Sequence, residues 1–134
     1  MATSEGGCLC GEIRYRIEGE PAAAMVCHCT HCQKQSGSAF STIMGVPDAC
    51  VEVTGTPAAY RDRGESGRVV ERLFCGACGS PLFTKAEGSP GLLWVKVGTL
   101  DDSASFKPAA HIWARSRQHW VELGDVPAFD ANPA

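Results

Sequence analysis

The stretch Gly6–Ile17, GGCLCGEIRYRI, joins a pair of cysteines to a run in which apolar and polar residues alternate. A period of two is the pattern of a β-strand with one buried face. We therefore predict a half-buried strand over Glu12–Ile17. Cys8 and Cys10 lie just before this strand. A metal ion that they bound together with a distant segment would fix the start of the fold.

Seven of the eight cysteines lie in three tight groups, CLC, CHCTHC and CGAC. The N-terminal MATSEGGCLC contains no basic segment followed by an apolar run, so we expect a cytoplasmic protein whose thiols stay reduced. Closely spaced thiolates can converge on one ion. The groups therefore predict bound zinc rather than disulfides.

The seven grouped cysteines divide into four and three. Structural zinc has four protein ligands, whereas catalytic zinc keeps three and leaves one position open. In CGAC, glycines let the chain turn tightly so that Cys75 and Cys78 face one point. Cys8 and Cys10 can complete this structural site. Such a site would pin the N-terminus to a remote segment and so stabilise the fold.

The remaining group places Cys27, Cys29 and Cys32 within six residues. Three thiolates on Zn²⁺ leave a formal charge of about −1, which makes the metal a weaker Lewis acid than in a histidine-rich site. Activation of water is then less favoured. A soft, electron-rich ion suits a sulfur ligand instead, so we predict a second zinc that is open to a sulfur-containing substrate.

Spacing alone leaves other ligand sets open. Zinc could instead join Cys8 and Cys10 to Cys27 and Cys29, or a histidine could close the second site. His31 is the better candidate for closure, because His28 lies between two ligands and would point the opposite way in an extended stretch. Cys50 is isolated, and an isolated cysteine in a β-like run is usually a small buried hydrophobic residue.

Turn residues recur every ten residues or so and separate short β-like runs, which is typical of a mainly β protein. We expect one domain over residues 1–134, with small antiparallel sheets and short helical turns. One helix is predicted at Thr30–Ser36, capped by Thr30 and ended by Gly37. Polar hairpin tips are predicted at Asp62–Gly67 and Glu87–Gly91. The other predicted strands are Ala24–Cys29, Ala39–Val46, Cys50–Thr54, Val69–Phe74, Leu82–Lys85 and Leu92–Val97.

The composition excludes two classes of partner. The net charge is −3, so the basic surface that a nucleic acid requires is not expected. No apolar run approaches the roughly 18 residues of a membrane span. We therefore expect a small-molecule partner, with no nucleic acid and no membrane, and the sequence does not indicate an oligomeric state.

Two further segments are candidates for substrate contacts. The residues after the second metal group could hold a substrate oxygen through hydroxyls and backbone N–H groups, although an ordinary turn explains them equally well. An aromatic and basic cluster could wall a pocket, although a strand with buried tryptophans and solvated arginines is the more common arrangement. The candidates in the first segment are Lys34, Ser36, Gly37, Ser38, Ala39 and Phe40. The cluster consists of His111, Trp113, Arg115, Arg117 and Trp120.

The sequence resembles the glutathione-dependent formaldehyde-activating enzyme family, which also contains proteins of the centromere protein V type. Three cysteine groups in this order and context carry the resemblance, and the matching stretches span nearly the whole chain. They are GGCLCGEIRYRI (6–17), CHCTHCQKQSGSAF (27–40), RLFCGACGSPLF (72–83), GTLDD (98–102) and HIWARSRQHW (111–120).

The resemblance implies a β-tent zinc fold and the same division of ligands between a structural and a catalytic-type zinc. It also implies an activity, the joining of glutathione and formaldehyde as S-(hydroxymethyl)glutathione, which is formally a carbon-sulfur lyase reaction. Two rivals are a zinc-dependent protein-interaction module and a redox or metal-handling protein. Access to the second metal site distinguishes them, since an open pocket there favours the enzyme.

We predict that the purified protein carries two zinc ions per chain, because seven cysteines can form one closed and one open site. Metal analysis after gentle purification measures the stoichiometry. A reproducible value near one, with Cys27, Cys29 and Cys32 all reactive as free thiols, would contradict the prediction.

Overall fold

The computed structural model describes residues 2–132, and their regular structure is mainly β, as predicted. Short 3-10 turns lie at Asp48–Cys50, Val97–Thr99 and Ala114–Ser116. The single α-helix of the described residues is α1 (Thr30–Ser36). The strands are β1 (Thr3–Gly7), β2 (Arg14–Glu18), β3 (Ala23–Cys27), β4 (Ser41–Pro47), β5 (Val51–Thr54), β6 (Ala58–Arg63), β7 (Val69–Phe74), β8 (Pro81–Ala86), β9 (Leu92–Lys96) and β10 (Ala110–Ile112).

The strands differ from the sequence prediction mainly at their ends. The prediction is correct to the residue for β7, whereas the predicted run Ala24–Cys29 extends too far. That strand ends at Cys27 because Cys29 already caps the following helix. Strands β1 and β6 were not predicted, since their short sequences lack a regular apolar alternation. Strand β10 covers only the first residues of the strand expected as the more common arrangement for residues 111–120.

The strands form two sheets. One contains three antiparallel strands in the order β1-β2-β5, and the other contains seven in the order β10-β3-β4-β9-β8-β7-β6. Neighbours in the larger sheet are antiparallel except β10 and β3, which are parallel. The two predicted hairpin tips are confirmed, because they connect β6 to β7 and β8 to β9.

The two faces of the larger sheet have different surroundings. Met44, Phe83 and Val95 lie on the face that packs against the three-stranded sheet, in one core with Tyr15 and Ile17. The rings of Tyr15 and Phe83 meet edge to face, with centroids 5.2 Å apart. Burial of each such large side chain stabilises the fold by about 1.5–3 kcal/mol. The opposite face forms the floor of a cleft.

Helix α1 has a defined cap at each end. Cys29, not Thr30 as predicted, is the N-cap, and its Sγ accepts a hydrogen bond from the Cys32 N–H at 3.2 Å. Gly37 ends the helix in the left-handed conformation at φ 64°, as predicted. Among residues 2–132, no helix is both long and apolar enough to span a membrane.

The last described segment folds back along β10. Trp113 has a φ of 56°, which is unusual for a bulky residue and costs about 1–3 kcal/mol. Its backbone N–H donates to the carbonyl of Ala131 at 3.2 Å, and its indole N–H donates to Asn132 Oδ1 at 2.9 Å. These bonds hold the strained turn, and the tryptophan lines the cleft.

Phe83→Ala is expected to lower the free energy of unfolding by about 3–5 kcal/mol, because the substitution leaves a cavity between the sheets. Phe83 is 1% exposed, whereas Phe129 is 40% exposed and provides a matched control. Phe129→Ala should cost less than about 1 kcal/mol. Chemical denaturation with metal retained measures both, and equal losses would contradict the assignment of Phe83 to the core.

Candidate metal centre

Four cysteines from two distant segments meet beside the three-stranded sheet. Cys8 and Cys10 follow β1, and Cys75 and Cys78 lie in the turn between β7 and β8. Their four Sγ atoms lie within 4.8 Å of one another. The Sγ atom of Cys10 is 3.6 Å from that of Cys8 and 3.8 Å from that of Cys75.

These separations fit a tetrahedral metal site. With zinc–sulfur bonds of about 2.3 Å, the sulfurs of a tetrahedral site are roughly 3.8 Å apart. Backbone N–H groups support the arrangement, since Ile13 donates to Cys8 Sγ at 3.3 Å and Cys78 donates to Cys75 Sγ at 3.4 Å. Hydrogen bonds from Ser80 lower the pKa of Cys78 to about 5, which favours the thiolate. The group is therefore suited to a metal ion whose four coordination positions are all filled by sulfur.

Three other cysteines meet where β3 passes into α1. Cys27 ends the strand, Cys29 caps the helix, and Cys32 lies one turn along it. All three are buried, and their Sγ atoms also lie within 4.8 Å of one another. The structure thus separates this group from Cys8 and Cys10, which were candidates to share a site with Cys27 and Cys29. The three sulfurs could hold an ion and leave a fourth position free.

Neither adjacent histidine joins this group in the described chain. His31 Nδ1 instead lies 2.8 Å from Asp62 Oδ2, and Arg72 Nε donates to the same oxygen at 3.0 Å. These two hydrogen bonds outweigh the partial burial of Asp62 and lower its pKa. His31 therefore tethers α1 to β6 rather than closing the metal site. Cys50 is half-buried and lies outside both groups.

His28 is fully buried between the two ligand cysteines and points away from them, as expected. Its Nε2 lies 2.8 Å from Nδ1 of His111, and its ring packs on Phe40. Burial lowers the pKa of His28 and of His111, so both rings are held neutral and share one proton along this contact. The pair joins the connection between β3 and α1 to β10.

The three-cysteine group lies at the inner end of a cleft of about 350 Å³. Its floor consists of alternate residues of the larger sheet, and its walls include Trp113 and the tip of the β6–β7 hairpin. In that tip the Glu65 carboxylate accepts a hydrogen bond from the Thr30 N–H at 2.8 Å, so the hairpin is held against α1. A volume of this order suits a small molecule. Apolar floor residues include Met25, Ile43, Val70, Trp94 and Ile112.

Two buried cations lie on the same floor. Arg72 is 4% exposed, and its Nη1 is 3.9 Å from Cys32 Sγ. Lys96 is 7% exposed, and its Nζ donates to Ser41 Oγ at 2.7 Å. Burial opposes the charge of Arg72, but Cys32 and Asp62 raise its pKa overall. Burial lowers the pKa of Lys96, against the effect of the three nearby cysteines.

The cations also bias the proton distribution of the cysteines. Hydrogen bonds from Cys27 and Cys29, together with the charges of Lys96 and Arg72, lower the pKa of Cys32 to about 2. The pKa of Cys27 is raised, chiefly by its bonds to the other two sulfurs. Negative charge is therefore stabilised at Cys32 even without the positive charge of a metal ion.

The predicted substrate contacts lie elsewhere. Lys34 and the segment 37–40 line a separate surface depression with the exposed Trp120. The Ser36 hydroxyl faces the carbonyls of Gln33 and Phe40. Arg115 stacks on the ring of Trp113 at 4.8 Å and is exposed. Of the aromatic and basic cluster, Trp113 is the member that lines the cleft.

Sequence reasoning missed Arg72, Lys96 and Thr84, which lie on the cleft floor. One signal was present for the two cations. Each is a charged residue within an otherwise largely apolar strand, VVERLF or LLWVK. Such strands are usually buried, so a charged residue within one is a candidate for a buried site. Thr84 carries no such signal, because threonine is common in strands.

The fold and its cysteine groups define a mainly β protein with two sites suited to metal ions. The chain belongs to the glutathione-dependent formaldehyde-activating enzyme family, whose model matches residues 3–116. No curated protein matches it. A crystal structure of a Rhodobacter sphaeroides protein, solved as a structural-genomics target, is similar with a TM-score of 0.57 and 18% identity. The alignment covers 92% of this chain and 98% of the other, and it supports the fold alone.

The two cysteine groups are expected to respond differently to mutation. Cys78→Ser should unfold or aggregate the protein, since a structural zinc supplies folding free energy on the order of 10 kcal/mol. Cys29→Ser should leave a folded protein with weakened metal at one site. Cys50→Ser is the control, because Cys50 lies outside both groups. Thermal melts with metal counts measure the effects, and equal collapse of Cys78→Ser and Cys29→Ser would refute the division.

Proposed function

We propose that the protein is a zinc-dependent enzyme that joins a thiol to an aldehyde, or cleaves the resulting adduct, as a carbon-sulfur lyase. The observation that carries this proposal is the position of the three-cysteine group, buried at the inner end of a cleft of small-molecule size. A purely structural site would not need access from a cavity. The family adds glutathione and formaldehyde as the expected substrates.

Zinc is the ion that best fits both groups. Cys8, Cys10, Cys75 and Cys78 would hold a structural zinc, because four thiolates at tetrahedral spacing are a closed donor set. Cys27, Cys29 and Cys32 would hold the second ion with one position left open. When bound there, zinc would supply a site at which a soft substrate thiol loses its proton.

The reaction is balanced without an oxidant or reductant. The thiolate sulfur attacks the aldehyde carbon and forms the C–S bond, while the carbonyl π electrons move to oxygen. The proton lost by the thiol is returned to this oxygen, which gives a hydroxymethyl thioether. Cleavage is the reverse. The residues of the chain orient the two reactants and keep bulk water away with the apolar floor of the cleft.

The rim of the cleft offers a contact for a charged thiol such as glutathione. Arg68 lies there against Gly88 and is exposed, so its guanidinium is available to a carboxylate of the tripeptide. Met25, Ile43 and Trp94 make much of the floor apolar, so the cleft offers little polar surface to the charged ends of a tripeptide. We therefore place the sulfur and the reacting carbon inside and the charged ends at the rim.

The rival functions receive less support. A protein-interaction module would not need an accessible three-ligand group, and no described histidine or carboxylate joins the three sulfurs. A redox or metal-handling role needs only reachable thiols and does not require a cleft that also presents Arg72 and Lys96. Accessibility through the cleft therefore favours the enzyme.

Binding of a thiol substrate should release close to one proton per chain at about pH 7, because a free thiol with a pKa near 8.5 binds as the thiolate. The release should fall as the pH rises through about 8.5, where the free thiol is already ionised. Calorimetry in buffers of different ionisation enthalpy measures the proton, with glutathione as the probe.

Cys29→Ser should abolish this release, and Cys50→Ser should leave it unchanged. Formaldehyde without a thiol should bind poorly to the zinc-loaded protein. Occupation of the second zinc by a carboxylate or an amine, with no thiol or thioether binding at all, would rule out the sulfur-substrate proposal.

A further inference from the structure

Three polar side chains on the cleft floor, Arg72, Thr84 and Lys96, have no role in the reaction outlined above. Arg72, Thr84 and Trp94 are direct cross-strand neighbours on β7, β8 and β9, and they share one face of the sheet. Lys96 lies two residues beyond Trp94 on β9 and therefore faces the same way. All four residues line the cleft together with the three cysteines.

The charges around the three sulfurs are close to balanced once an ion is present. Three thiolates and Zn²⁺ sum to about −1, Arg72 and Lys96 add about +2, and Asp62, which pairs with Arg72, adds about −1. With Arg72 paired to Asp62, Lys96 is the buried cation that balances the metal site. A buried ammonium group favours a ligand oxygen that is charged or electron-rich, which the apolar floor alone would reject.

The two cations are not equally available to a ligand. Arg72 is engaged, because its Nε donates to Asp62 and its Nη1 faces Cys32 Sγ. Lys96 has one described acceptor, Ser41 Oγ, and an ammonium group carries three donors. Lys96 therefore has donor capacity to spare among residues 2–132, although it is more than nine-tenths buried.

Thr84 also has an unused hydrogen-bonding group. Its Oγ1 is buried and has no hydrogen-bond partner among the described residues. A buried hydroxyl without a partner costs about 1–3 kcal/mol, so a ligand oxygen that pairs with it regains that free energy. Lys96 and Thr84 thus line one cleft with the three cysteines, and each has donor capacity that no described residue uses.

We propose that Lys96 and Thr84 form an oxygen-binding subsite for the substrate. They contact a substrate oxygen carried by the first or second carbon from the sulfur and donate to it as it gains or carries negative charge. The cleft then selects oxygen-bearing thiols over apolar thiols of the same size. This inference rests on the proposed function, because it takes the substrate sulfur to lie at the three-cysteine group.

The test compares two thiols of nearly equal shape. Thioglycolate carries a carboxylate where 2-methylpropane-1-thiol carries two methyl groups. Calorimetry on the zinc-loaded full chain should show tighter binding of thioglycolate, by about tenfold to a hundredfold, as for hydrogen bonds between charged groups. Lys96→Met should reduce this ratio to about threefold or less, mainly through weaker thioglycolate binding.

Lys85→Met is the matched control, because Lys85 is an exposed residue of β8 beside Thr84 and does not line the cleft. It should leave the ratio unchanged. Thr84→Val replaces the hydroxyl with a methyl group of similar size and should also reduce the ratio, which separates direct contact from a general effect of charge. Zinc content and a thermal melt are measured for every variant.

The outcomes separate this inference from the proposed function. If neither thiol binds the wild type, the proposed function fails. If both thiols bind and the ratio is the same in wild type, Lys96→Met and Thr84→Val, the oxygen-binding subsite is refuted and the proposed function stands. If Lys96→Met loses zinc or unfolds, the Thr84→Val ratio decides, and an unchanged ratio overturns the proposal.

Discussion

The convergence of four sulfurs at Cys8, Cys10, Cys75 and Cys78 is the constraint on which the rest of the structure depends. It joins the start of the three-stranded sheet to the β7–β8 turn of the larger sheet. With the sheets held together at this corner, the core between them can form around Tyr15 and Phe83. A chain of this size, rich in short strands, gains much of its cohesion from such a clip.

The larger sheet serves two purposes because its faces are chemically different. One face is apolar and packs in the core, whereas the other carries Arg72 and Lys96 among apolar residues. Both cations are buried beside sulfur atoms or hydroxyl groups rather than in solvent. The cost of burying them is offset only if negative charge is held nearby, which links the stability of this face to the state of the three cysteines.

The features that were readable from the sequence are those set by local spacing. The CLC, CHCTHC and CGAC motifs, α1 and the tips of two hairpins depend on residues close together in the chain, and each was predicted. The convergence of CLC with CGAC was predicted from the number of ligands that a structural zinc requires. The cleft depends on the order of strands in the larger sheet. That order places residues of β3, β4, β7, β8 and β9 side by side, and no local pattern encodes it. For the same reason, residues that follow Cys32 along the chain were predicted as substrate contacts, although Lys34 and the segment 37–40 line a different depression.

The wide separation of the four-sulfur ligands also has a consequence for biosynthesis. The Cys10–Cys75 contact spans 65 residues, so five grouped cysteines leave the ribosome well before the CGAC turn exists. At that stage Cys27, Cys29 and Cys32 can already bind an ion as their native set, but an ion held by Cys8 and Cys10 has only non-native partners, such as Cys27 and Cys29. Correct maturation therefore requires that early thiolate–metal bonds remain exchangeable until β7 and β8 are made. An excess of thiophilic metal during synthesis would trap misassembled chains, and slow exchange rather than weak final affinity would limit the yield of correctly folded protein.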